Sequence, residues 1–136
     1  MTPTLLALLL LSGQQPQQPA AADKPTPPAP MEYAEAKRLA DAHEASVTGR
    51  AHEAMLAKLK ETTDAAIADC SGQGLREDFT AFVVVMRLDA KGRVQQTWRQ
   101  GGSPLAICLQ RYVRDKIVYV PPKAPFHTAL EISFTK

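Results

Sequence analysis

Apolar and polar positions change their spacing twice along this chain. Between Met31 and Cys70 the spacing is helical: Leu39, His43 and Val47 share a face at i, i+4, and Met55, Leu59, Ala66 and Cys70 recur further on. This stretch contains no proline and is rich in Ala, Glu, Lys and Leu, all good helix formers. Thr48-Gly49 marks a break that divides it into two helices. The apolar face of the first helix is mostly alanine and therefore thin. Such a helix either lies on a surface or pairs with a second copy of the chain, so a homodimer is one expectation.

After Cys70 the period shortens to two. Ser71-Gly72-Gln73-Gly74 reads as a loop. Phe79 to Leu88, FTAFVVVMRL, is a strand that is apolar on both parities in its middle, with Phe82, Val84, Met86 and Leu88 on one continuous face. That pattern suits the central strand of a sheet. Asp89 to Arg93 makes a hairpin connection with Gly92 near its end, and Val94 to Arg99 returns as a strand carrying the only Trp, Trp98. Gly101-Gly102-Ser103-Pro104 then announces a helix. Ser103 can accept a backbone N–H bond as its cap, and Pro104 fits the first position, where a missing N–H costs nothing. Leu105, Cys108, Leu109, Tyr112, Val113 and Ile117 fall on one face of this helix. Pro121-Pro122 ends the regular chain. Phe126 to Phe134 alternates cleanly, with Phe126, Thr128, Leu130, Ile132 and Phe134 facing one way, as in a half-buried strand.

The order helix, strand, strand, helix, strand predicts an α+β fold. A two-layer sandwich satisfies the apolar stripes: a three-stranded antiparallel sheet with helices on one face, preceded by the long Ala-rich helical segment. The expected organisation is a leader over 1–13, a linker over 14–30, a helical segment over 31–69 and the α+β domain over 70–136. The leader is read from Leu5 to Leu11, LLALLLL. Seven apolar residues are too few to span a bilayer but match the core of a secretory signal peptide, with cleavage after Gly13. The mature form would then have no transmembrane span and a periplasmic location. Six of the fifteen residues from Pro16 to Pro30 are proline, which excludes helix and central strand there.

Two cysteines in an exported chain point to one disulfide, Cys70 to Cys108, tying helix to helix; two separate buried thiols are the alternative. The bond would close a loop of about 39 residues, and chain entropy assigns that ~4 kcal/mol.

Charge narrows the function classes. The net charge of +2 and 22% charged residues do not point to nucleic acid. Six basic and nine acidic residues lie between Asp23 and Leu75, against ten basic and five acidic from Arg76 onward. The basic half either balances the acidic one or meets an anionic partner. No catalytic residue, cofactor or metal is expected. His43 and His52 are nine apart, which no single helical turn can bring onto one metal, and His52-Glu53 lacks the second His of a zincin, position 56 being Leu56. The candidate partner-binding residues are Trp98, Arg99, Arg87 and Tyr119, because Trp and Arg commonly anchor interfaces.

The segments VVVMRLDAKGRV, SPLAICL with its helical Cys, and VPP before a terminal alternating strand occur in the order found in a known family. Over about residues 70–136 the chain resembles the TonB carboxy-terminal domain superfamily, in the cysteine-paired variant of proteobacterial envelope proteins. The resemblance implies helices on a three-stranded antiparallel sheet, periplasmic residence and protein binding. In such domains a partner adds a strand to the sheet edge. The leading expectation is therefore a non-catalytic envelope protein that binds another envelope protein. The alternatives are a small periplasmic enzyme acting on cell-envelope material and a diverged TonB-type energy transducer whose true start lies upstream.

Overall fold

The computed structural model describes residues 30–134. The expected leader over 1–13 and the linker over 14–29 lie outside the described residues. Three helices and three strands follow in the order α1 (Tyr33–Ala45), α2 (Gly49–Ser71), β1 (Phe82–Leu88), β2 (Val94–Gln100), α3 (Pro104–Val113) and β3 (Phe126–Ile132). The strands form one antiparallel sheet in the order β2-β1-β3, so the α+β architecture holds and the strand that is apolar on both parities sits in the middle.

Pairing places Val84 beside Leu130 and Met86 between Thr97 and Thr128. Phe82, Val84, Met86 and Leu88 thus look out on one face. There they join Met55, Leu59 and Ala66 of α2 and Ala106, Leu109 and Val113 of α3 in one cluster of buried side chains. The local signals behave as their chemistry requires. Ser103 Oγ accepts the Ala106 N–H at 3.1 Å, with Pro104 at the start of α3. In the hairpin, Asp89 Oδ1 accepts the N–H groups of both Lys91 and Arg93 at 2.9 Å. Gly92 has φ +85°, and a Cβ there would run into the Tyr119 carbonyl. That closeness is used: Val118 N–H donates to the Gly92 carbonyl and Val94 N–H to the Lys116 carbonyl, each at 2.9 Å.

Three departures from the expected pattern have physical causes. The first strand begins at Phe82 rather than Phe79. Asp78 Oδ1 accepts the Thr80 N–H in a local turn, and Phe79 remains 66% exposed against Phe134. Ile117 is off the α3 face, because the helix ends at Val113. Asp115 takes a left-handed φ of 62°, and Ile117 then bridges to Arg93 while 58% exposed. The third departure concerns α1. It lies over the other face of the sheet, where Ala36 and Ala40 pack with Val85, Trp98 and Ala129. The fold thus gains a third layer, and β3, read as half-buried, is buried from Phe126 to Leu130 on both parities. The break at Thr48-Gly49 makes this possible. The chain turns there around the outside of β3, and Val47 in the turn is already buried in the cluster of the opposite face.

Cys70 and Cys108 form a disulfide with Cα atoms 6.0 Å apart, joining the end of α2 to the middle of α3. Both cysteines are buried. Among the described residues no helix is long and apolar enough to cross a membrane. Replacing both cysteines by alanine is expected to lower unfolding stability by about 3–4 kcal/mol through the freed unfolded chain. Urea denaturation of the double variant against the oxidised wild type measures it, and a midpoint unchanged from wild type would contradict the staple role.

Candidate functional site

A three-stranded sheet has two edges, and an unpaired edge is a row of donors and acceptors that a partner strand can use. The two edges here differ. At the outer edge of β3, the His127 N–H donates to His43 Nδ1 at 2.8 Å and the Ala129 N–H donates to Glu44 Oε2 at 2.7 Å. The Thr128 hydroxyl donates to that same Glu44 oxygen at 2.6 Å. The C-terminal end of α1 therefore takes the place that a neighbouring strand would occupy.

These bonds also orient the rest of the sheet. Along an antiparallel strand the backbone groups of successive residues point alternately to either side. If His127 and Ala129 point away from β1, then Thr128 and Leu130 point toward it, facing Met86 and Val84. Val83, Val85 and Arg87 must then turn toward β2 and pair with Gln100, Trp98 and Gln96. Thr97 and Arg99 are left pointing outward. The start of β2 is occupied, since Val94 and Gly92 bond to the 116–118 segment, and a bulge between Arg87 and Leu88 breaks the register beside it. Beyond that point no strand covers Thr97 and Arg99 among the described residues. A groove of about 250 Å³ runs along this edge, lined by Val94, Gln95, Gln96, Thr97, Arg114 and Asp115.

The four candidate binding residues do not form one surface. Trp98 is only 8% exposed, and its indole N–H donates to the Met31 carbonyl at 2.8 Å, so it holds the entry of α1 against the sheet. Arg87 shares that face, directly across from His127. Arg99 lies on the opposite face, in register with Val84, and bonds back to the Gly101 carbonyl. Tyr119 sits edge-on to Phe126 with ring centroids 5.7 Å apart. Of the four, only Arg99 belongs to the open edge.

Sequence reasoning missed His127. Its ring is 4% exposed, and neither ring nitrogen has a hydrogen-bond partner. It lies between His43, at a centroid distance of 5.3 Å, and Trp98, at 5.7 Å. Burial first, and then the charges of His43 and Arg87, push its pKa from 6.5 down to about 4. His43 is also lowered, by burial and then by Lys123 and Arg38. The residue's one sequence signal was its place in an alternating strand, which assigned it to the polar side. Among the described residues no group of three or more His, Cys, Asp or Glu side chains gathers in metal-binding geometry. A cleft of about 270 Å³ is an open depression lined by Leu75, Arg76, Phe79 and Leu105.

No protein-family model matches the chain, and no curated protein and no solved structure matches it significantly.

Glu44 satisfies two donors at once, one of them backbone, so its removal should be felt. Glu44→Ala is expected to cost about 1–3 kcal/mol, and Glu44→Gln, which keeps an acceptor, less. Urea unfolding at pH 7.5 compares the two; equal losses would mean that these bonds need the charged carboxylate and not merely an acceptor at this position.

Proposed function

We propose that this chain is a non-catalytic, protein-binding module of the bacterial envelope, of the TonB carboxy-terminal type. Its N-terminal apolar run exports it to the periplasm. It receives an extended segment of another envelope protein along β2. One observation carries this reading: the sheet has one edge closed by α1 and one edge, at Thr97 and Arg99, with outward backbone groups that no strand covers among the described residues. Strand addition uses such groups for affinity and the adjacent side chains for selection. Arg99 on the strand and Arg114 in the flanking groove supply cations, so the incoming segment carries acidic residues at the matching positions. The buried disulfide fits an oxidising compartment, where a domain of this size benefits from a staple. The resemblance over residues 70–136 points to the same mode of recognition.

A photo-crosslinking side chain at Gln96, introduced in the native host, is expected to trap one defined envelope protein. Thr97→Pro removes an outward N–H, a position where an edge strand tolerates proline, and should abolish the crosslink while thermal unfolding stays cooperative. A crosslink that survives Thr97→Pro, or one yielding only a dimer of this chain, would sink the reading.

A further inference from the structure

Helix α1 is held to the sheet with little apolar contact. Its only fully buried side chains are Ala36 and Ala40. Partly buried Met31 and Tyr33 pack beside them, Lys37 pairs with Glu131 of β3 at 3.8 Å, and the strongest polar bonds sit at the two ends. At the entry Trp98 bonds to the Met31 carbonyl, and at the exit His43 and Glu44 accept the β3 donors. The α2–α3 face is built differently, from Met55, Leu59, Met86, Leu88 and Leu109 in one cluster, with the disulfide across it. The two clusters share no residue. Val47 belongs to the α2–α3 cluster, so a hinge at Ser46 would free α1 without disturbing that layer.

The exit attachment depends on two neutral imidazoles. A backbone N–H can only donate, so His43 Nδ1 must be unprotonated to accept it. Beneath it lies His127, buried with both ring nitrogens unpartnered. The charged and titratable groups around this pair come from each packed element. From α1 there are His43, Glu44, Glu35 and Arg38; from β1, Arg87; from the segment before β3, Lys123. On β2 the neighbours are Trp98 and Gln96, which do not titrate. Of the charges acting on His127, only Glu35 favours a proton there, and it is exposed. A proton on His127 would sit in a buried place among cations, and a proton on His43 Nδ1 would remove the acceptor for the strand edge.

We propose that α1 is an acid-released strap: protonation of the His43–His127 pair detaches it from the sheet, uncovering the β3 edge and the Val85–Trp98–Ala129 face, while the disulfide-linked α2–α3 layer stays folded. The closed form is the proton-poor one. With α1 on the sheet His127 takes a proton only near pH 4, and with α1 off it titrates near 6.5. Closure is therefore fully favoured above pH 6.5 and is lost as pH falls from 6.5 through 4. From His127 alone, the closed-to-open ratio drops about 30-fold between pH 7.5 and pH 5. His43 acts in the same direction.

Hydrogen exchange at single residues, expressed as protection factors at pH 7.5 and pH 5, tests this. In the wild type, protection at Ala129 and along α1 is expected to fall about 30-fold. Protection at Val84 and Met86 in β1 should change less than about threefold. In the His43→Gln/His127→Phe double variant, which cannot be protonated at either position, α1 and edge protection should stay level across that range. Loss of α1 and β1 protection together, or the same fall in the double variant as in wild type, would overturn the proposal. Should the double variant not fold, the wild-type pH titration of Trp98 fluorescence decides. A transition between pH 6.5 and 4 with the far-UV circular dichroism of the domain largely retained supports the strap. A Trp98 change that coincides with complete loss of that signal refutes it.

Discussion

The fold is organised by a run of five consecutive apolar residues in its central strand. Phe82, Val83, Val84, Val85 and Met86 alternate between the two faces of the sheet, so neither face can be left to water without exposing a hydrophobic side chain. One layer of helix satisfies only one of the two sets. The α2–α3 layer covers Val84 and Met86, and a second cover is needed for Val85. Every other feature follows from how the chain supplies that second cover. It must cross from one face to the other in the few residues between α1 and α2, and the only route is around the outside of an edge strand.

That route settles the character of the two edges. As the chain rounds β3, the last turn of α1 comes within hydrogen-bonding distance of the strand's outward N–H groups, and His43 and Glu44 accept them. The closure of this edge is thus a by-product of covering the second face. Among the described residues no comparable segment passes the far end of β2, and the 116–118 stretch bonds to the first residues of the strand. Among the described residues the sheet is left asymmetric, with one edge met by side chains of α1 and one whose outward backbone groups no strand pairs.

The same route explains why α1 is held differently from the other helices. Small side chains at Ala36 and Ala40 let the helix approach the sheet closely, but they bury little area. Polar bonds, at its two ends and between Lys37 and Glu131, add to that attachment, and the one at the exit brings His43 over His127. A histidine without partners in a buried site disfavours protonation there, so the second layer is tied to pH in a way that the disulfide-bound layer is not.

Several elements could be read directly along the chain, because their causes are local. Ser103-Pro104 starts α3 through a cap and a missing donor, both properties of adjacent residues. The Asp89–Gly92 hairpin is built from an Asp side chain and a left-handed glycine within five positions. The two-sided apolar run placed β1 at the centre, and Cys70 and Cys108 were matched because both fell on apolar helical faces. The layer that α1 joins could not be read this way. Its stripe of alanines fits either face of the sheet or a partner, and the choice rests on contacts between residues some ninety positions apart, such as Ala40 with Ala129. For the same reason Trp98, whose residue type alone suggests an interface anchor, is a core residue whose indole N–H donates to the Met31 carbonyl. His127 fell on the polar side of an alternating strand, and only the arrival of α1 buries it. Local sequence specifies turns, caps and strand centres because their energies lie within a few residues. Which face is covered, which edge is sealed and which histidine is buried depend on distant segments meeting, and the pattern along the chain carries no signal for that.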